Sequence, residues 1–369
     1  MENPNRQLSL DVFRGITVAL MIVVNTPGYG DTTYAPLHHA GWHGFTPTDW
    51  VFPTFMFVVG NAMAFSLLKY ESLGDTEFLK KVFKRTLLIF LLGFLMYWFP
   101  FVTKNEVGEL ILFPLSETRI FGVLQRIALG YLFASLILHY FNKRGVLIFC
   151  SISLLGYWLV LYLFGDYSLT GNAVLKLDKF ILGDPHLYHG EGIAFDPEGM
   201  LSTLPSIVNV IAGYFAGRFL QQKGPTYETI AKLIMTGVVC LSVALCWNEF
   251  FPINKKLWTS SFVVLTVGLD LMVLAILVYL IEIQKYKHWT YFFEVFGKNT
   301  LFIYLLSEVG VILLDFFEVG DRNVHSWLYT SVFQPFSDYF GSLLFALTWM
   351  LCCWAVGYAM DKKKIYIKV

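Results

Sequence analysis

The chain has 369 residues, of which 56% are hydrophobic, 18% aromatic and only 15% charged, and its 27 Lys plus Arg are balanced by 27 Asp plus Glu. That make-up excludes an ordinary soluble domain and fits an integral membrane protein. A formal net charge of zero leaves no bulk electrostatic attraction to nucleic acid or any other polyanion.

Apolar runs of about 18 or more residues recur along the whole sequence, each long enough to cross a hydrocarbon core of about 30 Å as a helix. Ten spans are expected, at about 8–27, 50–68, 84–101, 119–141, 145–164, 203–222, 229–248, 260–282, 290–314 and 339–360. The expected fold is therefore all-α, a polytopic membrane bundle of about ten helices, with residues 1–369 as a single transmembrane domain. Strands of alternating polarity do not recur, which argues against a barrel. The first run, with Arg6 and Arg14 before and within it, resembles a signal peptide. No small-x-small cleavage site follows, so an uncleaved first span is the better reading.

Of the 27 Lys and Arg, 18 fall in the N-terminus, the even-numbered loops and the C-terminus, against 6 in the odd-numbered loops. By the positive-inside rule both termini are cytoplasmic and the loop after the first span faces outward. The longest stretch between spans, about 165–202, is rich in Gly, Asp, His and aromatic residues and reads as an ordered external cap. The five cysteines all lie inside apolar runs without metal-ligand spacing and are assigned no role.

The chemistry concentrates in that first outer connection, residues 25–53, "NTPGYGDTTYAPLHHAGWHGFTPTDWVFP". Histidine titrates near neutrality and suits proton transfer, so His39 is a candidate base. His39 and His43 also have the i, i+4 spacing of zinc ligands. The glutamate of an HExxH motif is missing, however, and prolines and glycines interrupt the segment, so no metal is expected. Asn25 can be read as a helix-ending residue or as an amide that bonds a carbonyl oxygen. Asp49 can be read as the cap of the second span or as the residue that orients the histidine.

Charges within spans are costly unless paired or facing a polar cavity. Asp11 and Arg14, three apart, can pair locally. Arg119 and Arg126, seven apart with Gln125 beside them, are expected on one face of the fourth span, a pattern that suggests an anion. "FDPEGMLSTLPS", "FPINKKLWTSSF" and "FGKNTLFIYLLSEV" read as helix starts with caps, whereas Asp270 and Glu308 lie deep in apolar context.

"LSLDVFRGITVALMIVVN", "HHAGWHGFTPTDWVFPTFMFVVG", "RIFGVLQRIALGY", "FDPEGMLSTLPSIVNVIAGYFAG", "PINKKLWTSSFV" and "GKNTLFIY" together, in order over nearly the whole chain, resemble the heparan-α-glucosaminide N-acetyltransferase family. The likeness is to a bacterial-type member without the N-terminal luminal domain of the animal enzyme. It implies an acetyltransferase of the bacterial inner membrane, a homodimer, that takes the acetyl group of cytosolic acetyl-coenzyme A to the amine of a glucosamine-type sugar outside. It places the catalytic residues on His39, Asn25 and Asp49, and the coenzyme A site on Arg14, Arg119, Gln125 and Arg126. Trp42, Tyr34 and His43 of the loop would meet the sugar. An amino-sugar transporter without acyl chemistry and an O-acetyltransferase of a cell-envelope glycan are the alternatives.

Overall fold

The computed structural model describes residues 7–71, 74–105 and 108–367. Among them thirteen α-helices follow one another: α1 (Leu8–Asn25), α2 (Pro47–Glu71), α3 (Asp75–Trp98), α4 (Val123–Tyr140), α5 (Lys143–Phe164), α6 (Ala173–Leu182), α7 (Met200–Lys223), α8 (Tyr227–Asn248), α9 (Ser260–Leu277, continued by a π-helical turn to Ile283), α10 (Thr290–Lys298), α11 (Thr300–Phe316), α12 (Val324–Leu328) and α13 (Asp338–Lys362). Two short antiparallel pairs, β1 (Val102–Lys104) with β2 (Leu110–Leu112) and β3 (Glu318–Val319) with β4 (Arg322–Asn323), decorate the loops.

Helices α1, α2, α4, α5, α7, α8, α9 and α13 are long and apolar enough to cross a membrane, and the bent pair α10–α11 makes a ninth. The third expected span falls on α3, whose first half carries Lys80, Lys81, Lys84 and Arg85 and whose second half exposes Leu87, Leu91 and Leu95. Outward-facing apolar side chains also line α5 (Ile152, Leu159) and α8 (Met235, Val239). In water such faces would drive association. Around a multi-pass membrane bundle they are the lipid-facing side.

The centre of the bundle is the α2–α7 pair, where glycine lets the backbones touch. A Cβ on Gly60 would lie 1.9 Å from the Val210 carbonyl oxygen, and one on Gly213 1.8 Å from that of Phe57. Helix α9 is tied to both by polar groups. Asp270 accepts from Trp50 Nε1 (2.8 Å) and Thr54 Oγ1 (2.7 Å), and Asn209 links Trp258 Nε1 and Thr266 Oγ1 at 3.1 Å each.

One expected span is corrected. Residues 290–314 do not form a continuous helix: α10 and α11 meet at 83°. The intervening Asn299 is held by the C-terminal segment, its Nδ2 donating to the Ile365 carbonyl (3.0 Å) and its Oδ1 accepting from Ile367 N (2.9 Å). Next to it, Lys298 bridges Asp361 at 2.9 Å.

Candidate active site

The loop after α1, the start of α2, the stretches before α4 and α7, and the start of α9 converge at one end of the bundle. Thr46 and Asp49 begin α2 as a capping box. The Asp49 carboxylate accepts from Thr46 N (3.0 Å) and Thr46 Oγ1 (3.1 Å), satisfying donors that a helix start leaves open. The same carboxylate accepts from Ala40 N (3.0 Å) through Oδ2 and meets His39 Nδ1 through Oδ1 at 2.7 Å. Asp49 is thus both the helix-start residue and the partner of the histidine, and it is 1% exposed while the His39 side chain is 43% exposed.

A carboxylate at Nδ1 fixes the tautomer with the proton on Nδ1 and the lone pair on Nε2. Lys255, from the loop before α9, places Nζ 3.1 Å from Nδ1 and 3.2 Å from Nε2 of His39. That loop is anchored independently. Gly44 N donates to the Ile253 carbonyl (2.8 Å), Lys256 Nζ to the Gly41 carbonyl (2.9 Å), and Lys256 pairs with Glu191 at 2.6 Å. Desolvation pulls the Lys255 ammonium below the usual lysine range, with Lys256 and Arg126 adding to the effect and the carboxylates of Glu198 and Asp49 opposing it.

Behind Lys255 lies a buried acidic pair from the "FDPEG" turn. Arg119 makes a two-pronged contact to Asp196 (Nε 2.8 Å, Nη2 2.6 Å) and reaches Glu198 at 2.7 Å, its guanidinium 4.8 Å from both the Tyr97 and Tyr188 rings. Burial lifts Asp196 above the ordinary carboxylate range despite Arg119. At Glu198 the penalty of burial is outweighed by Arg119, Arg126 and Lys255, and its carboxyl stays below that range.

Arg126 is wholly buried, 4.7 Å above the Trp258 ring, with Nη2 donating to Ser202 Oγ and to the Gly199 carbonyl (3.2 Å). Its Nε and Nη1 are buried and have no hydrogen-bond partner among the described residues. The expected shared helical face for Arg119 and Arg126 is corrected. Helix α4 begins only at Val123, so Arg119 stands outside it, and the pair converge because both reach the turn before α7.

The remaining expected residues do not all gather here. Arg14 ion-pairs with Asp11 at 2.9 Å, eleven residues before Asn25 and so roughly 16 Å along α1. Gln125 packs its amide against Gly93 of α3, and its amide atoms have no hydrogen-bond partner among the described residues. Asn25 donates to Glu308 Oε1 (3.1 Å), and no hydrogen bond joins it to His39 or Asp49 among the described residues. Trp42 is tied to the cap by Nε1 to the Tyr167 carbonyl (2.7 Å), whereas Tyr34 packs against Tyr339 at the start of α13. His43 lies 3.4 Å from Asn254, and desolvation lowers its pKa. Among the described residues no cluster of His, Cys, Asp or Glu suited to a metal is found.

The sequence reading missed Lys255, Asp196 and Glu198. Their signal was present in "FPINKKLW" and "FDPEG", charged residues placed just before apolar helices, and was read only as capping.

A family model described as heparan-alpha-glucosaminide N-acetyltransferase, catalytic, matches residues 6–247. A heparan-alpha-glucosaminide N-acetyltransferase of Homo sapiens is 30% identical, over 99% of this chain and 60% of its own length. The Mus musculus protein of that name is 28% identical, over 99% and 61%. The chain thus spans about 60% of the length of these relatives.

Proposed function

This chain belongs to the heparan-α-glucosaminide N-acetyltransferase family, and on that premise we propose that it is a transmembrane acetyltransferase. It moves an acetyl group from cytosolic acetyl-coenzyme A to the amine of a glucosamine-type sugar on the opposite side of the membrane. The observation that carries this reading is the His39–Asp49 pair, 2.7 Å apart at the mouth of a bundle that buries the carboxylate and leaves the imidazole accessible.

His39 serves as the base, or as the carrier of the acetyl group, through Nε2. Asp49 holds the ring in the tautomer that presents this lone pair and stabilises the imidazolium once it forms, the arrangement that general-base acyl transfer requires. Arg126, whose Nε and Nη1 are open donors in a buried setting, is suited to oxygens of the acyl donor. The positive-inside distribution supports an orientation with the His39 loop outside and both termini in the cytoplasm.

The test supplies acetyl-coenzyme A and a panel of amino sugars to detergent-purified protein and follows products by mass. An increment of one acetyl group on an amino sugar, with coenzyme A released, is expected. Thioester that stays intact with every acceptor would refute the reading.

A further inference from the structure

We propose that Lys255 is a second catalytic residue, whose ammonium receives the negative charge that develops on the thioester carbonyl oxygen beside His39 Nε2. The inference rests on the acetyltransferase reading and adds to it a group that carries the oxyanion.

The lone-pair directions of the two imidazole nitrogens diverge, so a group 3.1 Å from one and 3.2 Å from the other lies beside the ring and on neither axis. Nδ1 is already engaged by Asp49 at 2.7 Å. The approach along the Nε2 lone pair therefore stays open for the reacting group while the ammonium waits at its flank. A carbonyl carbon or amine held roughly 3–3.5 Å in front of Nε2 brings the carbonyl oxygen within reach of a donor in that place. Donors about 2.7–3.1 Å from the developing oxyanion give the largest share of stabilisation in acyl transfer.

If Lys255 served only to dock the loop before α9 onto the His39 loop, other ties between them would be weak or few. They are neither. Gly44 N binds the Ile253 carbonyl, and Lys256 binds both Gly41 and Glu191. Asn254 folds its own turn by accepting from Leu257 N (2.8 Å) through Oδ1 and donating its N–H to Thr259 Oγ1 (3.0 Å). The Lys255 backbone is fixed without its side chain. Glu198 and Asp49 supply the opposing charge that keeps an ammonium in this half-buried place.

The acceptor's amine nitrogen bonds to the carbonyl carbon, and the carbon–oxygen π pair moves onto the oxygen facing Lys255. The return of that pair breaks the carbon–sulfur bond and releases coenzyme A thiolate. The proton lost by the amine passes to His39 Nε2 and from there to the thiolate. If His39 itself carries the acetyl group, Nε2 bonds to the carbonyl carbon and the thiolate leaves with the same oxygen facing Lys255. The amine then bonds to that carbon, the carbon–Nε2 bond breaks with its pair returning to Nε2, and the amine's proton passes through the freed Nε2 to the thiolate.

The experiment compares steady-state kinetics of detergent-purified wild type, Lys255→Met and Lys255→Arg, with thermal unfolding as the fold control. Lys255→Met is expected to lose about 10²–10³-fold in kcat, the usual loss for one oxyanion donor, with KM for acetyl-coenzyme A within about threefold and an unchanged unfolding midpoint. Lys255→Arg, which keeps the charge on a different fork, should retain at least about tenfold more kcat than Lys255→Met. Should Lys255→Met not fold, Lys255→Gln decides the matter: a loss of about tenfold or more in kcat is expected. A folded Lys255→Met or Lys255→Gln within about threefold of wild-type kcat, or a loss confined to KM, overturns the assignment while wild-type transfer leaves the acetyltransferase reading standing. A wild-type protein that transfers no acetyl group overturns both.

Discussion

Asp49→Asn keeps the shape of the side chain and replaces one acceptor oxygen with an amide NH2. In the wild type, Oδ2 accepts from Ala40 N, Thr46 N and Thr46 Oγ1, all within 3.1 Å, while Oδ1 faces His39 Nδ1 at 2.7 Å. The single oxygen of asparagine is held best where three donors converge, which turns NH2 toward the histidine. Nδ1 must then accept, the ring proton moves to Nε2, and the lone pair needed for catalysis is lost from the reacting position. The variant also removes the charge that stabilises the imidazolium. Loss of a general base amounts to about 10²–10⁴ in rate, or about 2.7–5.4 kcal/mol at 1.36 kcal/mol per decade. Stability should fall far less, because the three loop contacts survive and a first-turn charge contributes only about 0.3–1 kcal/mol. The assay measures kcat and KM for acetyl-coenzyme A together with thermal unfolding. The expected result is a fall of 10²–10⁴-fold in kcat with KM within about threefold. An Asp49→Asn protein that keeps more than about a tenth of wild-type kcat refutes the tautomer argument.

His39→Ala should abolish detectable transfer across pH 6 to 8 while leaving acetyl-coenzyme A binding, followed by calorimetry, nearly intact. His38→Ala should be mild, since the His38 ring meets only the Thr33 carbonyl at 2.9 Å among the described residues. Removing Arg126 as Arg126→Ala should raise KM for acetyl-coenzyme A by roughly tenfold or more, through loss of about 1.5–3 kcal/mol of charge-assisted bonding; an unchanged KM in monodisperse protein returns Arg126 to a structural role. Burial lifts the Asp178 carboxyl from 3.8 to about 7, so between those values the folded protein holds a proton that the unfolded chain releases, and stability from this group falls as pH rises. The unfolding midpoint of Asp178→Asn should therefore exceed that of wild type by more at pH 8 than at pH 5, and a flat or reversed difference counts against it. Single cysteines at Tyr34 and Lys80, in a background without the native cysteines, should label with an impermeant thiol reagent from opposite sides of the membrane; labelling from one side ends the topology.

The bundle was legible because bilayer thickness sets a length scale that any apolar run must meet, and all ten expected runs fall on helices. The break in the ninth run was not. Residues 290–314 are mostly apolar, and the polar Lys298–Asn299 step within them read only as a helix start; what holds the bend at Asn299 is its pairing with Ile365 and Ile367, 66 and 68 residues onward. Composition cannot report such a contact. The same holds within the site. His39 and Asp49 stand ten residues apart in one loop, where histidine chemistry and a helix start suggested each other. Lys255 reaches His39 across 216 residues and Glu198 reaches Arg119 across 79, and both had an adequate local explanation as the polar edge of a helix.

Satisfaction of donors, more than their presence, separates the cations of this site. Arg119 and Arg126 looked alike in sequence, two arginines entering one span. In the fold Arg119 directs Nε and Nη2 at Asp196 and Glu198, Nη1 at Tyr97 (3.3 Å), and packs between two aromatic rings. To bind a phosphate it would have to abandon two buried carboxylates, and breaking such a pair is worth about 3–5 kcal/mol. Arg119 is therefore the counterion that allows an acidic turn to exist inside the bundle. Arg126 shares the burial but spends only Nη2 on the protein, leaving Nε and Nη1 open. Buried donors without partners are expensive, and a fold retains them where a ligand completes the set. Lys255 differs: it is half-buried, and its ammonium lies 3.1 and 3.2 Å from the two His39 nitrogens at the flank of the ring. Glu198 supplies opposing charge to both Arg126 and Lys255.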